Sequence, residues 1–321
     1  MPIYNDIFSI NQVYELMVDG EWVSSPYVRD STASWFGGGY AGTTLSTIDR
    51  VVFATDTSTA SYRSGLQIAR RYLAATGNLS DGWFGGGRTP GVIYSSIDRL
   101  TYATDTAGAT LRTNLSVARL YLSGSADADY GWYYGGEINS PGTKTSVIDR
   151  IVYSADTATA TVRTYTDLAV SYQKSAGNSQ YSWTSGGGDI NGGRTTVIRL
   201  TYSSDTGAVS VRGPLPTSNS SFAATSNNDY GWQSAGFGPI STVTRITYAT
   251  DTSTASTRGP MSIARYIHAA GGSLSSGWFG GGDGPRSSVE RIIYSTDTAI
   301  AVLKGPLYTA RFGLAATSGI Y

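Results

Sequence analysis

An all-β chain, folded as a six-bladed β-propeller with four antiparallel strands per blade and closed by its C-terminal strand joining the first blade, is what the sequence predicts. Three observations carry this. First, one phrase recurs: Trp35-Phe36-Gly37-Gly38-Gly39, Trp83-Phe84-Gly85-Gly86-Gly87 and Trp278-Phe279-Gly280-Gly281-Gly282, with looser copies at Trp132, Trp183 and Trp232. Second, these tryptophans lie 48, 49, 51, 49 and 46 residues apart. A fixed period of this length marks a repeat architecture, in which one unit cannot bury its apolar face alone. Third, each period holds four short runs of alternating apolar and polar residues, broken by Gly, Asn and Asp-Thr turns, which is the arithmetic of a propeller blade.

Residues 1–33 stand outside the repeat. Within them Val13-Tyr14-Glu15-Leu16-Met17-Val18, the turn Asp19-Gly20, and Glu21-Trp22-Val23 read as a β-hairpin. A lone hairpin is marginal in water, so Val13, Leu16, Val18 and Trp22 are candidates for an attachment surface on another chain. Ser24-Ser25-Pro26 reads as a joint before a propeller over 34–321.

The second unit illustrates a blade. Gly82-Trp83-Phe84 runs into the glycine triplet, and Ser96–Tyr102 alternates. Thr104-Asp105-Thr106 turns, and Ala109-Thr110-Leu111-Arg112 forms the next strand. Leu120-Tyr121-Leu122-Ser123 then opens the following unit, in the place held elsewhere by Leu73-Ala74-Ala75-Thr76, Phe222-Ala223-Ala224-Thr225, His268-Ala269-Ala270-Gly271 and Leu314-Ala315-Ala316-Thr317. Small side chains suit the crowded innermost strand. The first of these strands follows the first Trp strand and the last ends the chain, so residues 311–318 are expected to supply the inner strand of the blade that begins at Ser34. That arrangement leaves no open sheet edge.

Composition agrees with many short strands and tight turns. The chain has 321 residues, 40% of them hydrophobic and only 14% charged, against a usual ~25% charged. Its 40 glycines and 23 tyrosines favour turns and strands over helices. The 23 basic and 23 acidic side chains balance, which gives no electrostatic case for nucleic acid or an anionic membrane surface as partner. There is no cysteine and a single histidine, His268, so disulfides, thiolate sites and a multi-histidine metal centre are excluded. The start lacks the basic and apolar regions of a signal peptide, and no apolar run reaches the ~18 residues of a membrane helix.

The unit Arg-x-x-x-Ala-Ala…Gly-Trp-Phe-Gly-Gly…Ile-Asp-Arg-x-x-Tyr-x-x-Asp-Thr resembles a kelch repeat over roughly residues 34–321. The shared features are the diglycine ending a strand, the later tyrosine and the Asp-Thr turn; the tryptophan usual after that turn is absent. The phrases Thr250-Asp251-Thr252…Arg258-Gly259-Pro260-Met261-Ser262-Ile263-Ala264-Arg265-Tyr266 and Gly305-Pro306-Leu307…Arg311-Phe312-Gly313-Leu314-Ala315-Ala316-Thr317 resemble virion structural proteins of tailed phages of marine bacteria. The leading Tyr-x-x-x-Val-Asp-Gly-x-Trp hairpin is similar to short modules on phage tail proteins. The resemblance implies a non-enzymatic tail, fibre or capsid appendage located on the virion. Its expected partners are other virion proteins through residues 1–33, with a host-surface glycan as the alternative ligand.

Two recurring sets invite both a functional and a structural reading. Arg50, Arg99, Arg150, Arg199, Arg245 and Arg291 precede the tyrosine, and Asp56, Asp105, Asp156, Asp205, Asp251 and Asp297 occupy the Asp-Thr turn. Residues repeated in every blade are expected to do structural work, as turns and as braces between neighbours. The tryptophans are likewise expected to be core between blades. Arg70, Arg119, Arg265 and Arg311 recur in only four blades, with Val170 and Asn219 in the other places. They precede the inner strand and so share a face with the loops after the glycine triplets, at 40–46, 88–95, 137–145, 189–196, 237–241 and 283–287. Variable loops on a repeated scaffold are where binding usually lies. The candidate ligand residues are therefore Arg70, Arg88, Tyr94, Arg119, Lys144, Asp189, Arg194, Arg265, Asp283, Arg286 and Arg311.

No catalytic motif is present, neither His-Glu-x-x-His nor Gly-x-Ser-x-Gly nor a phosphate-cradling loop before a helix. Carboxylates such as Asp127 and Asp129 suit a glycosidase or Ca²⁺ site only if they converge; as loop acids they read as solvated. No cofactor, metal site or catalytic residue is expected.

Overall fold

The computed structural model of the protein describes residues 31–139, 142–189 and 192–319. The expected hairpin, with Val13, Leu16, Val18 and Trp22, lies outside the described residues. Among the described residues, six four-stranded antiparallel sheets stand side by side around an axis, with two short two-stranded ribbons at loop tips. In the second blade the strands run from the axis outward as Ala74–Gly77, Asp81–Gly85, Ser96–Thr101 and Thr110–Asn114. A single 3₁₀ turn, Tyr102–Thr104 in this blade, follows each third strand.

The inner strands are small because each packs on its two neighbours: Ala74–Gly77, Ser123–Ala126, Lys174–Gly177, Ala223–Ser226, Ala269–Gly272 and Ala315–Ser318 close a circle around the axis. Gly124 shows the crowding, since a Cβ there would meet the Ala75 carbonyl oxygen at 2.4 Å. In the third blade the expected strand over 120–123 is corrected to Ser123–Ala126. Leu120 pairs with Glu137 and Tyr121 adopts φ +57°, which interrupts an extended run.

Closure follows the expected offset. Ala315–Ser318 pairs with Ala33–Gly37, placing Trp35 opposite Thr317 and Phe36 opposite Ala316. The first strand starts at Ala33, which is buried in the core, one residue before the expected boundary. A second closure lies at one end of the axis. Tyr72 N–H donates to the Gly313 carbonyl, Tyr121 to Tyr72, Tyr172 to Tyr121, Ser221 to Tyr172, Ile267 to Ser221 and Gly313 to Ile267, at 2.6–3.0 Å. This is a ring of six backbone hydrogen bonds, one per blade. All six residues hold φ between +54° and +67°, a conformation that costs a non-glycine residue roughly 1–2 kcal/mol and persists only where the surroundings impose it.

Blades are braced by one repeated unit. The Trp35 Nε1–H donates to Asp105 Oδ2 of the next blade at 2.8 Å, and Arg50 and Arg63 reach the same carboxylate at 3.1 and 2.7 Å. Tyr102 stacks on Trp35 with ring centroids 3.9 Å apart. The same set recurs around the ring: Trp83, Arg99 and Arg112 on Asp156; Trp132, Arg150 and Arg163 on Asp205; Trp183, Arg199 and Arg212 on Asp251. Trp232, Arg245 and Arg258 meet on Asp297, and Trp278, Arg291 and Lys304 on Asp56 close the circle. The expected structural role of these residues is thus what the fold displays.

Candidate functional site

The loops after the glycine triplets and the connectors entering the inner strands share one face, as the order of strands dictates. Backbone pairs hold them together: Gly39 N–H donates to the Arg70 carbonyl, Tyr40 and Phe312 pair, and Arg71 pairs with Arg88. The loop face is therefore rigid near the axis, and its side chains differ from blade to blade.

At the centre of this face, over the backbone ring, lies an aromatic cluster. Tyr121 stacks on Tyr172 at 3.9 Å and meets Tyr72 at 4.3 Å, while Phe312 lies 6.2 Å from Tyr72 and 5.3 Å from Tyr40. The Arg71 guanidinium sits over Tyr40 at 4.3 Å and Tyr72 at 4.8 Å, a cation–π geometry. Every member is half-buried. Burial, together with the neighbouring Tyr121, pushes the Tyr72 and Tyr172 hydroxyls up, so they stay protonated donors at neutral pH. The surface offered is flat aromatic area, one cation and hydroxyl donors.

Four of the expected ligand residues are corrected. Arg70, Arg119, Arg265 and Arg311 have side chains with no exposed area, each paired with a carboxylate equally buried: Asp98 at 3.1 Å, Asp149 at 3.0 Å, Glu290 at 2.7 Å and Asp49 at 3.1 Å. Each guanidinium also donates to a backbone carbonyl, those of Phe84, Tyr133, Gly281 and Phe36. The carboxylates in turn accept backbone N–H groups of the preceding connector, as Asp98 does from Gln67 and Asp49 from Tyr308. Burial pushes these guanidinium pKa values down. Their main chains lie on the loop face and their side chains lock one blade to the next, so no ligand in solvent reaches them. Where the arginine is replaced by Val170 or Asn219, the matching carboxylate position holds Ile198 or Thr244. That paired exchange is visible in the sequence and would have identified the ion pairs.

Of the remaining candidates, Arg88, Tyr94, Lys144, Arg194, Asp283 and Arg286 sit half-buried on the loop face but do not converge. Arg88 Nε donates to the Thr89 carbonyl, and Tyr94 Oη meets Thr89 Oγ1 at 3.3 Å. Lys144 pairs through its backbone with Glu137. Arg194 binds Asp167 at 2.6 Å. Arg286 donates to the Asp283 carbonyl at 3.1 Å, and the neighbouring Asp283 carboxylate pushes the Tyr266 hydroxyl up. The backbone of Asp189 belongs to the ribbon Gly188–Asp189/Gly192–Gly193. Sequence reading missed Tyr40, Arg71, Tyr72, Tyr121, Tyr172 and Phe312, although tyrosine recurs just before three inner strands.

The axis itself holds three stacked cavities of about 120, 60 and 20 Å³ that share lining residues from one to the next. Among the described residues, no three His, Asp or Glu side chains are placed to hold a metal ion, and no helix is long and apolar enough to cross a membrane. The chain matches no protein-family model and no curated protein.

Proposed function

We propose that the protein is a non-enzymatic virion structural and interaction protein, a tail, fibre or capsid appendage of a tailed phage, joined to other virion proteins through residues 1–33. The observation that carries the interaction role is the division between scaffold and loop face. The residues repeated in every blade serve as braces, whereas the aromatic–cationic cluster around Arg71 differs from blade to blade and lies half-buried at the axis. The virion setting rests on the resemblance of the repeat phrases and of the leading hairpin.

A second reading, recognition of a host-surface glycan, is favoured by the same cluster. Tyrosine faces supply rigid apolar area and hydroxyls that bond to sugar. A glycan array probed with the full chain, alongside a reducing-end assay, separates binding from cleavage. Arg71→Ala is expected to weaken binding to host cells or to the responsive glycan at least several-fold without lowering the melting temperature. A chain lacking residues 1–30 is expected to keep its melting temperature and fail to join the particle. Binding unaffected by Arg71→Ala, or assembly of the shortened chain, would remove the respective assignment.

A further inference from the structure

The innermost strands begin at equivalent places with Ala74, Ser123, Lys174, Ala223, Ala269 and Ala315. Five of these are small; the sixth is a lysine. The residue before each strand is Leu73, Leu122, Gln173, Phe222, His268 or Leu314. Gln173 and Lys174 of the fourth blade and His268 of the sixth therefore interrupt positions that are otherwise small or apolar. Both line the same two axial cavities, of about 60 and 20 Å³.

The Lys174 ammonium has no hydrogen-bonding or ion-pair partner among the described residues, and no carboxylate lines either cavity. The side chain is half-buried, and the residue lines both cavities. Burial lowers its pKa to about 8, so at neutral pH it is still mostly charged. A cation screened from bulk water and left without an ion partner favours a counter-ion beside it. Everywhere else in this ring a buried guanidinium is given a carboxylate; here the protein supplies none.

His268 adds to the same field. Burial, with the charges of Arg265 and Lys174, pushes its pKa well below the usual value, so the ring is neutral. Its Nε2 lies 3.0 Å from Ser234 Oγ, and its Nδ1 is buried without a partner. A neutral imidazole leaves Lys174 as the one charged side chain lining the two cavities.

We propose that the axial cavity beside Lys174 is a binding site for a small inorganic monovalent anion such as chloride, held by the Lys174 ammonium. Size decides the class. One water needs roughly 10–15 Å³ of such space and small-molecule pockets run to roughly 300 Å³ or more, so the site fits a monatomic ion with a few waters and excludes a sugar. The tyrosine cluster and the backbone ring cover the loop-face end, and the anion enters from the opposite side through the 120 Å³ cavity lined by Thr76, Thr225 and Thr317. The proposal is independent of what the loop face binds.

The test is thermal unfolding of the full chain at pH 7 in sodium chloride and in sodium gluconate of equal ionic strength. An ion that binds only the folded state raises the melting temperature with its concentration. The expected result is a rise of a few degrees in chloride relative to gluconate, abolished in Lys174→Met. In a bromide-soaked crystal of the natural sequence, which serves should that variant fail to fold, the anomalous signal should include a peak in contact with Lys174 Nζ. Equal melting in the two salts, an undiminished chloride effect in Lys174→Met, or bromide found only on the outer surface would overturn the proposal.

Discussion

Asp105 shows how much one side chain can carry. It accepts from the Trp35 indole, Arg50 and Arg63, all of the preceding blade, and is 2% exposed while the two arginines keep 28% and 25% of their side-chain area. Its environment lies between that of a surface pair, worth up to ~1 kcal/mol, and a buried one, whose breakage costs ~3–5 kcal/mol. Asp105→Asn is therefore expected to cost about 2–3 kcal/mol in urea unfolding. Burial pushes this carboxyl up, but the bonds from Arg63 and Trp35 and the charge of Arg50 outweigh it and hold its pKa below the ordinary value. Because the folded pKa is the lower one, the stabilisation is fully present above the unfolded carboxylate value of ~4 and is lost as pH falls through the folded value. The gap between natural protein and Asp105→Asn should be constant from about pH 5 to 7 and shrink below about pH 4. A gap that widens in acid would contradict this assignment.

Among the elements, the inner strand and the turn leading into it set the geometry, and backbone conformation decides two opposite predictions there. Gly86 holds φ +70°, and a Cβ on it would meet the Arg119 carbonyl oxygen at 2.6 Å. Gly86→Val should cost several times the ~1 kcal/mol typical of point mutations. Ser221 holds φ +60° in the backbone ring, and glycine adopts that conformation without the penalty. Ser221→Gly is expected to leave stability unchanged or raise it by up to ~1 kcal/mol; a clear fall in the urea midpoint would show that the ring does not impose the strain. The repeat phrase made strand number, order and closure legible, because each blade's contacts are a local pattern written six times. The buried Arg–carboxylate pairs were not read, because their partners are far apart along the chain, about 25–30 residues in three pairs and at opposite ends for Arg311 and Asp49, and only the joint loss in blades four and five betrays them. The aromatic cluster was missed for another reason. Tyr40, Arg71, Tyr121 and Phe312 come from separate units and meet only once the ring has closed.

For the whole molecule, the ring is a cycle of equivalent interfaces with one seam, where the chain's two ends share a blade. Three separate structures cross that seam: the pairing of Ala315–Ser318 with Ala33–Gly37, the buried Arg311–Asp49 ion pair, and Gly313 in the six-membered backbone ring. A repeat array left open would keep its remaining interfaces and unfold piecewise, whereas a closed ring unfolds as a unit. The most direct measurement is equilibrium urea unfolding of the full chain against one lacking residues 311–321. The closed-ring account predicts a strongly lowered midpoint and a broadened or lost cooperative transition for the shortened chain. An unchanged midpoint and slope would contradict it.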